Sequence, residues 1–256
     1  MKKKKINIFK KIFDLRYWAY DFIKITGAIP TLLILRLKYH YLNGKKQKDL
    51  FKGPFILVSN HATYIDPVIL MTALWNRRIS FIATEDLFST KTKNFFFSTI
   101  RCIKINKQNV AMQTFKDVKN VIDYGHLVCV FPEGHVQTEC SNDEYKSGAV
   151  MFATLCKIPI VQVYIQKNKH WWQRQHVVFS DKIDVLSLMD SPIPTVTEIE
   201  KVTKKLEEQE LEMKKSEFEV VVNSDESKFN SNGIDTVEFI ISTNTLSDVC
   251  IVSAAA

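Results

Sequence analysis

Cysteine is scarce in this sequence and does not come in pairs: Cys102, Cys129, Cys140, Cys156 and Cys250 are odd in number and show no CxxC spacing. Neither a disulfide framework nor a zinc knot can be read from them. Cys129 and Cys156 fall in apolar runs and read as small core residues in a reducing compartment. A G-x-S-x-G elbow is missing too, which argues against a serine hydrolase of the elbow type. There is no internal repeat of solenoid type. A clean apolar span is also lacking. The nearest approach, YWAYDFIKITGAIPTLLIL at 17–35, carries Asp21 and Lys24 and is interrupted by Gly27 and Pro30. A helix, a break and a second short helix are expected there. An interfacial or re-entrant hairpin fits that pattern better than a crossing, and a buried helix pair is the alternative. The lysine-rich start resembles the first part of a signal peptide. However, Asp14, Asp21 and Lys24 interrupt the apolar stretch after it, and no small-residue cleavage site is evident, so secretion is not expected.

What the chain has instead is a concentrated positive charge. Of the formal net charge of +7, the distribution says more than the total. Residues 1–52 hold fourteen Lys or Arg against three acids (Asp14, Asp21, Asp49), a local balance of +11. Phe9, Phe13, Tyr17, Trp18, Tyr20 and Phe22 are interleaved with them. Cations beside aromatic rings suit an anionic lipid surface, where the charge meets headgroups and the rings sit at the interface. This pattern favours a membrane over nucleic acid, and a solvated basic tail is the plainer alternative.

From residue 54 the pattern changes to short apolar runs separated by helical stretches. Strands are expected at 54–60, 79–84, 102–106, 127–134 and 158–165, with an edge strand at 176–184. Helices are expected at 67–76, 91–101, 110–125 and 147–157. This alternation predicts an α/β layer fold with a mostly parallel sheet flanked by helices. The chain thus divides into four regions: a basic, aromatic, membrane-associating helical segment at 1–50, the α/β domain at 51–195, a charged helix at 196–222, and a C-terminal extension at 223–256 with no assigned role.

Two stretches carry chemistry. SNHATYID sets His61 five residues before Asp66 at a strand end. Histidine is the side chain suited to act as a base near neutral pH, and a carboxylate on its second ring nitrogen fixes the tautomer. Asp66 followed by Pro67 also reads as a helix cap with proline at the first helical position. VFPEGH places Pro132, Glu133 and Gly134 just beyond a buried strand, where open α/β sheets bind ligands. A plain turn is the alternative for that stretch. A metal site would need a third ligand, and His126, His135 and Glu133 form no recognised zinc spacing with His61.

The order NHxxxxD, a basic residue after an alternating strand, FPEG and then IPIV resembles the glycerolipid acyltransferase family over about residues 52–166, roughly the middle half of the chain. His61 and Asp66 match its first motif, Phe131 to Gly134 its third, and Ile158, Pro159 and Ile160 its fourth. Lys146 to Ala149 resemble the family's K-x-G-A helix start. The second motif departs: RCIKINK has no glycine, and Lys107 stands where the family has an arginine thought to bind an acceptor phosphate. A lysine offers a point charge without the bidentate fork. Lys104 and Arg101 lie close by.

The resemblance implies transfer of a fatty acyl group from acyl-CoA or acyl carrier protein to a hydroxyl of lysophosphatidic acid or a related glycerol-phosphate acceptor. His61 would be the base and Asp66 its orienting carboxylate. Asn60, Lys107, Lys104, Pro132, Glu133 and Gly134 are the substrate-binding candidates. No metal or redox cofactor is implied. The expected partners are an anionic membrane surface, a lysophospholipid and a thioester donor, and not nucleic acid. The expected location is the cytoplasmic face of a membrane, peripheral or monotopic. A same-fold acyltransferase with a non-phosphate lipid acceptor, or a non-catalytic membrane-binding homologue, remain the alternatives.

Overall fold

The computed structural model describes residues 17–44, 49–106, 112–134, 145–168, 173–189 and 194–229, with side chains described as far as residue 215. The chain divides into two compact units, residues 1–218 and 219–256. In the second, the described part is the helical run that ends at Phe229.

The central strands form because their residues are apolar on both faces. β2 (Ile56–Ser59), β5 (Leu127–Val130) and β6 (Ile160–Ile165) are buried at every position. Such runs suit the middle of a sheet covered on both sides. Side chains alternate between the two layers. Leu57, Cys129, Val161 and Val163 join one core cluster, while Ile56, Val58, Val128, Val130 and Ile160 join the other. β1 (Lys38–Tyr41), β3 (Ile79–Thr84), β4 (Ile103–Ile105) and β7 (His176–Ile183) complete a seven-stranded sheet in the order β1-β7-β6-β2-β5-β3-β4. All pairings are parallel except β6 with β7.

Helices α1 (Trp18–Leu35) and α2 (Asp66–Ala73) cover the first layer. α4 (Met112–Asp123), α5 (Gly148–Cys156) and the start of α6 (Val196–Phe229) cover the second. α3 (Lys91–Thr99) comes after a 3₁₀ turn at Glu85–Phe88 and leads into β4.

Three sequence expectations change. The first concerns the N-terminal segment, which is a single helix and not a helix, break and helix. Tyr20, Lys24, Ala28 and Thr31 bury one stripe of it, and Pro30 is on the exposed side. A Cβ on Gly27 would lie 3.2 Å from Val68 Cγ1, so this glycine lets α1 settle closely on α2. Both charges that spoke against a span are engaged by the domain. Lys24 Nζ donates to the carbonyls of Leu74 (3.4 Å), Trp75 (2.8 Å) and Arg77 (2.6 Å), where α2 ends. Burial lowers its pKa to about 8. Asp21 takes a two-point ion pair from Arg78, at 3.0 and 2.6 Å.

The second change is at residues 38–41, expected within the helical segment. They form β1 and extend the sheet, with Tyr41 stacked on Phe179 of β7. Third, and as a consequence, β7 is not an edge strand; β1 occupies the edge beside it.

Candidate active site

The site stands at the carboxyl ends of β2 and β5, and strand register explains why. Val58 pairs with Val130, so three residues further on, His61 and Glu133 emerge at the same level. The His61 backbone N–H donates to Glu133 Oε2 at 3.0 Å. Glu133 is buried, at 3% exposure, and thus holds the His61 loop instead of facing the cavity. The sequence marks Glu133 as a substrate-binding candidate, and in the fold its carboxylate is engaged by the His61 loop.

His61 Nδ1 lies 3.1 Å from Asp66 Oδ2. Asp66 is completely buried and also accepts from the Thr63 N–H at 2.7 Å and the Thr63 hydroxyl at 2.6 Å. Three donors therefore converge on one carboxylate, which keeps it in place and requires an N–H at Nδ1 of His61. The Nε2 lone pair is then the one available towards the cavity. The His61 ring stacks on Phe131 with centroids 4.2 Å apart, and Phe131 in turn lies parallel to Phe81. The capping reading of Asp66 is off by one residue. Ile65 is the cap residue, and the Asp66 side chain turns back to Thr63 and His61. Thr63 was not singled out from the sequence, although its place three residues before Asp66 is a local signal for such a turn.

Asn60, another substrate-binding candidate, is held by the backbone of β6. Its amide donates to the Ile165 carbonyl at 2.9 Å and accepts from the Ile165 N–H at 2.7 Å, continuing the β2–β6 pairing past Ser59. It is buried and absent from the cavity wall. Lys104 is turned elsewhere as well. Its ammonium reaches Asn94 Oδ1 at 3.2 Å and lies 4.5 Å from the centre of the Phe88 ring, outside the cavity. Arg101 sits over Tyr17. Lys107 and His135 lie outside the described residues. Among the described residues, no group of three or more His, Cys, Asp and Glu is arranged to hold a metal ion.

His61 opens onto a cavity of about 1040 Å³. Ile23, Met71, Phe81, Phe97 and Ile100, which pack in one core cluster, give its wall a broad apolar part. Tyr145, Lys146 and Ser147 before α5, and Glu200, Lys204 and Glu207 of α6, contribute polar groups to the same wall. Pro132 and Gly134 lie in the wall. Gly134 has a φ of +75° and closes a turn by donating to the Phe131 carbonyl at 3.1 Å.

Fold and site together define an α/β protein with a histidine–aspartate pair at the mouth of a largely apolar cavity. Residues 36–166 match the family described as Acyltransferase, and the chain belongs to it. It is 30% identical over 136 residues to a probable 1-acyl-sn-glycerol-3-phosphate acyltransferase of Mycoplasma pneumoniae, covering 49% of this chain and 51% of that protein. It is 28% identical over 125 residues to the 1-acyl-sn-glycerol-3-phosphate acyltransferase of Streptococcus pneumoniae, covering 48% and 46%. The chain thus spans about half the length of the curated relatives it matches. The fold is shared with the crystal structure of the 1-acyl-sn-glycerophosphate (LPA) acyltransferase PlsC from Thermotoga maritima. There the TM-score is 0.55 at 15% identity, over 83% of this chain and 84% of that one.

Proposed function

We propose that this protein transfers a fatty acyl group from a thioester to the hydroxyl of a 1-acyl-glycerol-3-phosphate acceptor at a membrane surface. The observation that carries this reading is the His61–Asp66 pair, held at 3.1 Å beside a largely apolar cavity whose wall also holds polar and charged groups. Two relatives bearing the name of that activity support the acceptor class.

In the proposed step, His61 Nε2 takes the proton of the acceptor hydroxyl as its oxygen attacks the thioester carbonyl carbon. The C–O bond forms, the C–S bond breaks, and the departing thiolate takes the proton back from the imidazolium. Asp66 stabilises that imidazolium while it exists, and no covalent acyl-enzyme is needed. The apolar lining suits an acyl chain and the polar groups in the wall a headgroup. Lys107 remains a candidate for the acceptor phosphate. The donor is acyl-CoA or acyl carrier protein, with no metal or redox cofactor. The cytoplasmic face of the membrane is the proposed location, since the basic N-terminal residues suit its anionic lipids.

A thiol-release assay with lysophosphatidate, other lysolipids, glycerol-3-phosphate and no acceptor tests the reading. The expected result is acceptor-dependent release that falls about 10²- to 10⁴-fold in His61→Ala. Equal release by both proteins would remove His61 from the mechanism. Transfer only to acceptors lacking phosphate would replace the acceptor assignment.

A further inference from the structure

We propose that the acceptor's phosphate is held between Lys146 and Lys204, so that helix α6, which lies beyond the family-matched residues 36–166, supplies half of the headgroup subsite. This rests on the acyl-transfer reading above and names the residues that recognise its acceptor. Among the described residues, these two lysines are the only ammonium groups in the cavity wall, and no arginine is present there. Lys104 and Arg101, the cations nearest the second motif, are engaged elsewhere.

The position of Lys146 is built by the same turn that positions His61. Its backbone N–H donates to the Pro132 carbonyl at 3.2 Å, and its ammonium donates to the Glu133 carbonyl at 3.3 Å. The carboxylate of that same Glu133 carries the His61 N–H. One glutamate therefore sets the spacing between the base and the ammonium. Gly134 leaves room for it, since a Cβ there would come within 2.7 Å of Lys146 Nζ. No described carboxylate forms an ion pair with Lys146 or Lys204, so each charge has capacity for an anion. Lys146 also precedes the first turn of α5, whose positive dipole end adds to the attraction. Lys204, in the same cavity wall, stands between Glu200 and Glu207, four residues after one and three before the other. Those carboxylates oppose a phosphate and limit how tightly it is held.

The test measures KM and kcat with two acceptors, lysophosphatidate and uncharged monoacylglycerol, in mixed micelles. Lys146→Gln and Lys204→Gln are each expected to raise the lysophosphatidate KM by about 10- to 100-fold. The loss should fall on KM more than on kcat, and the monoacylglycerol KM should change far less than the lysophosphatidate KM. Lys146→Arg should restore most of the loss, and Glu200→Gln should lower the lysophosphatidate KM. Lysophosphatidate binding to the His61→Ala protein, with and without Lys146→Gln, reads the subsite without turnover. If binding depends on Lys146 while the wild type transfers to no acceptor, the subsite stands and the acyl-transfer reading falls. Equal losses with both acceptors, or a higher lysophosphatidate KM in Glu200→Gln, would overturn the subsite.

Discussion

Asp66 has no exposure and three donors aimed at it, which makes it the residue least able to change. Asparagine is nearly its isostere but has one acceptor oxygen and an amino group that would face a donor. Asp66→Asn is therefore expected to lower kcat by roughly 10³- to 10⁴-fold through loss of the tautomer and of imidazolium stabilisation. A stability loss of about 1–3 kcal/mol should accompany it, from the donor left unpaired. Acyl-transfer kinetics beside a urea unfolding curve check both, and a variant retaining wild-type kcat would deny Asp66 its orienting role. The pair was legible in the sequence because its geometry is local, spanning five residues at one strand end. The partners of Asn60 and Lys104 were not, because folding decides them. The amide of Asn60 meets a backbone 105 positions away, and Lys104 lies on a strand only three residues long beside α3. Residue type alone does not tell a substrate-facing amide from one that joins two strands.

At the scale of elements, buried runs such as ILVS and LVCV were readable because two apolar faces leave few alternatives. KYHY was not, since its four residues are half-exposed and become a strand only by pairing with β7. α6 shows a different limit. Its charged sequence suggests a solvated helix, yet Val202, Thr203, Leu206 and Met213 are buried along one stripe. Glu210 lies on the same helix. Burial, reinforced by Glu207, raises its carboxyl from the usual 4.5 to about 7, and Tyr145 hydrogen-bonds to it. A raised acid favours the protonated folded state. Its contribution to stability is complete below about pH 4.5 and is lost as pH rises through about 7. Glu210→Gln should therefore raise Tm relative to wild type more at pH 8 than at pH 5. Parallel melting curves across that range would show that Glu210 ionises in the fold without cost.

For the whole molecule, the proposed activity raises the question of how the α/β domain would reach a lipid acceptor. α1 is long and apolar enough to cross a membrane by length and composition, but its inner stripe is already used against α2 and β3. Its outer side exposes Trp18, Phe22, Ile25, Ile29 and Leu33. Ile23 of α1, Tyr64 and Phe96 line one cavity, so this apolar side adjoins the active-site mouth. Phe95 and Phe96 are themselves exposed, and Lys91 and Lys93 precede them on α3. A helix lying in the interface with its outer face in lipid would bring that mouth to the acceptor without extraction into water. Phe22 and Leu33 are 60% and 73% exposed, so serine at both should leave the fold intact. Each contributes about 1.5 kcal/mol or more on entering lipid, so the double variant should partition into anionic vesicles roughly 100-fold less well. Co-sedimentation measures the partition, and activity on short-chain, water-soluble acceptors should persist in the same variant. Unchanged sedimentation would place the membrane contact on another face. Loss of activity on soluble acceptors as well would show that α1 serves the site through packing and not through the bilayer.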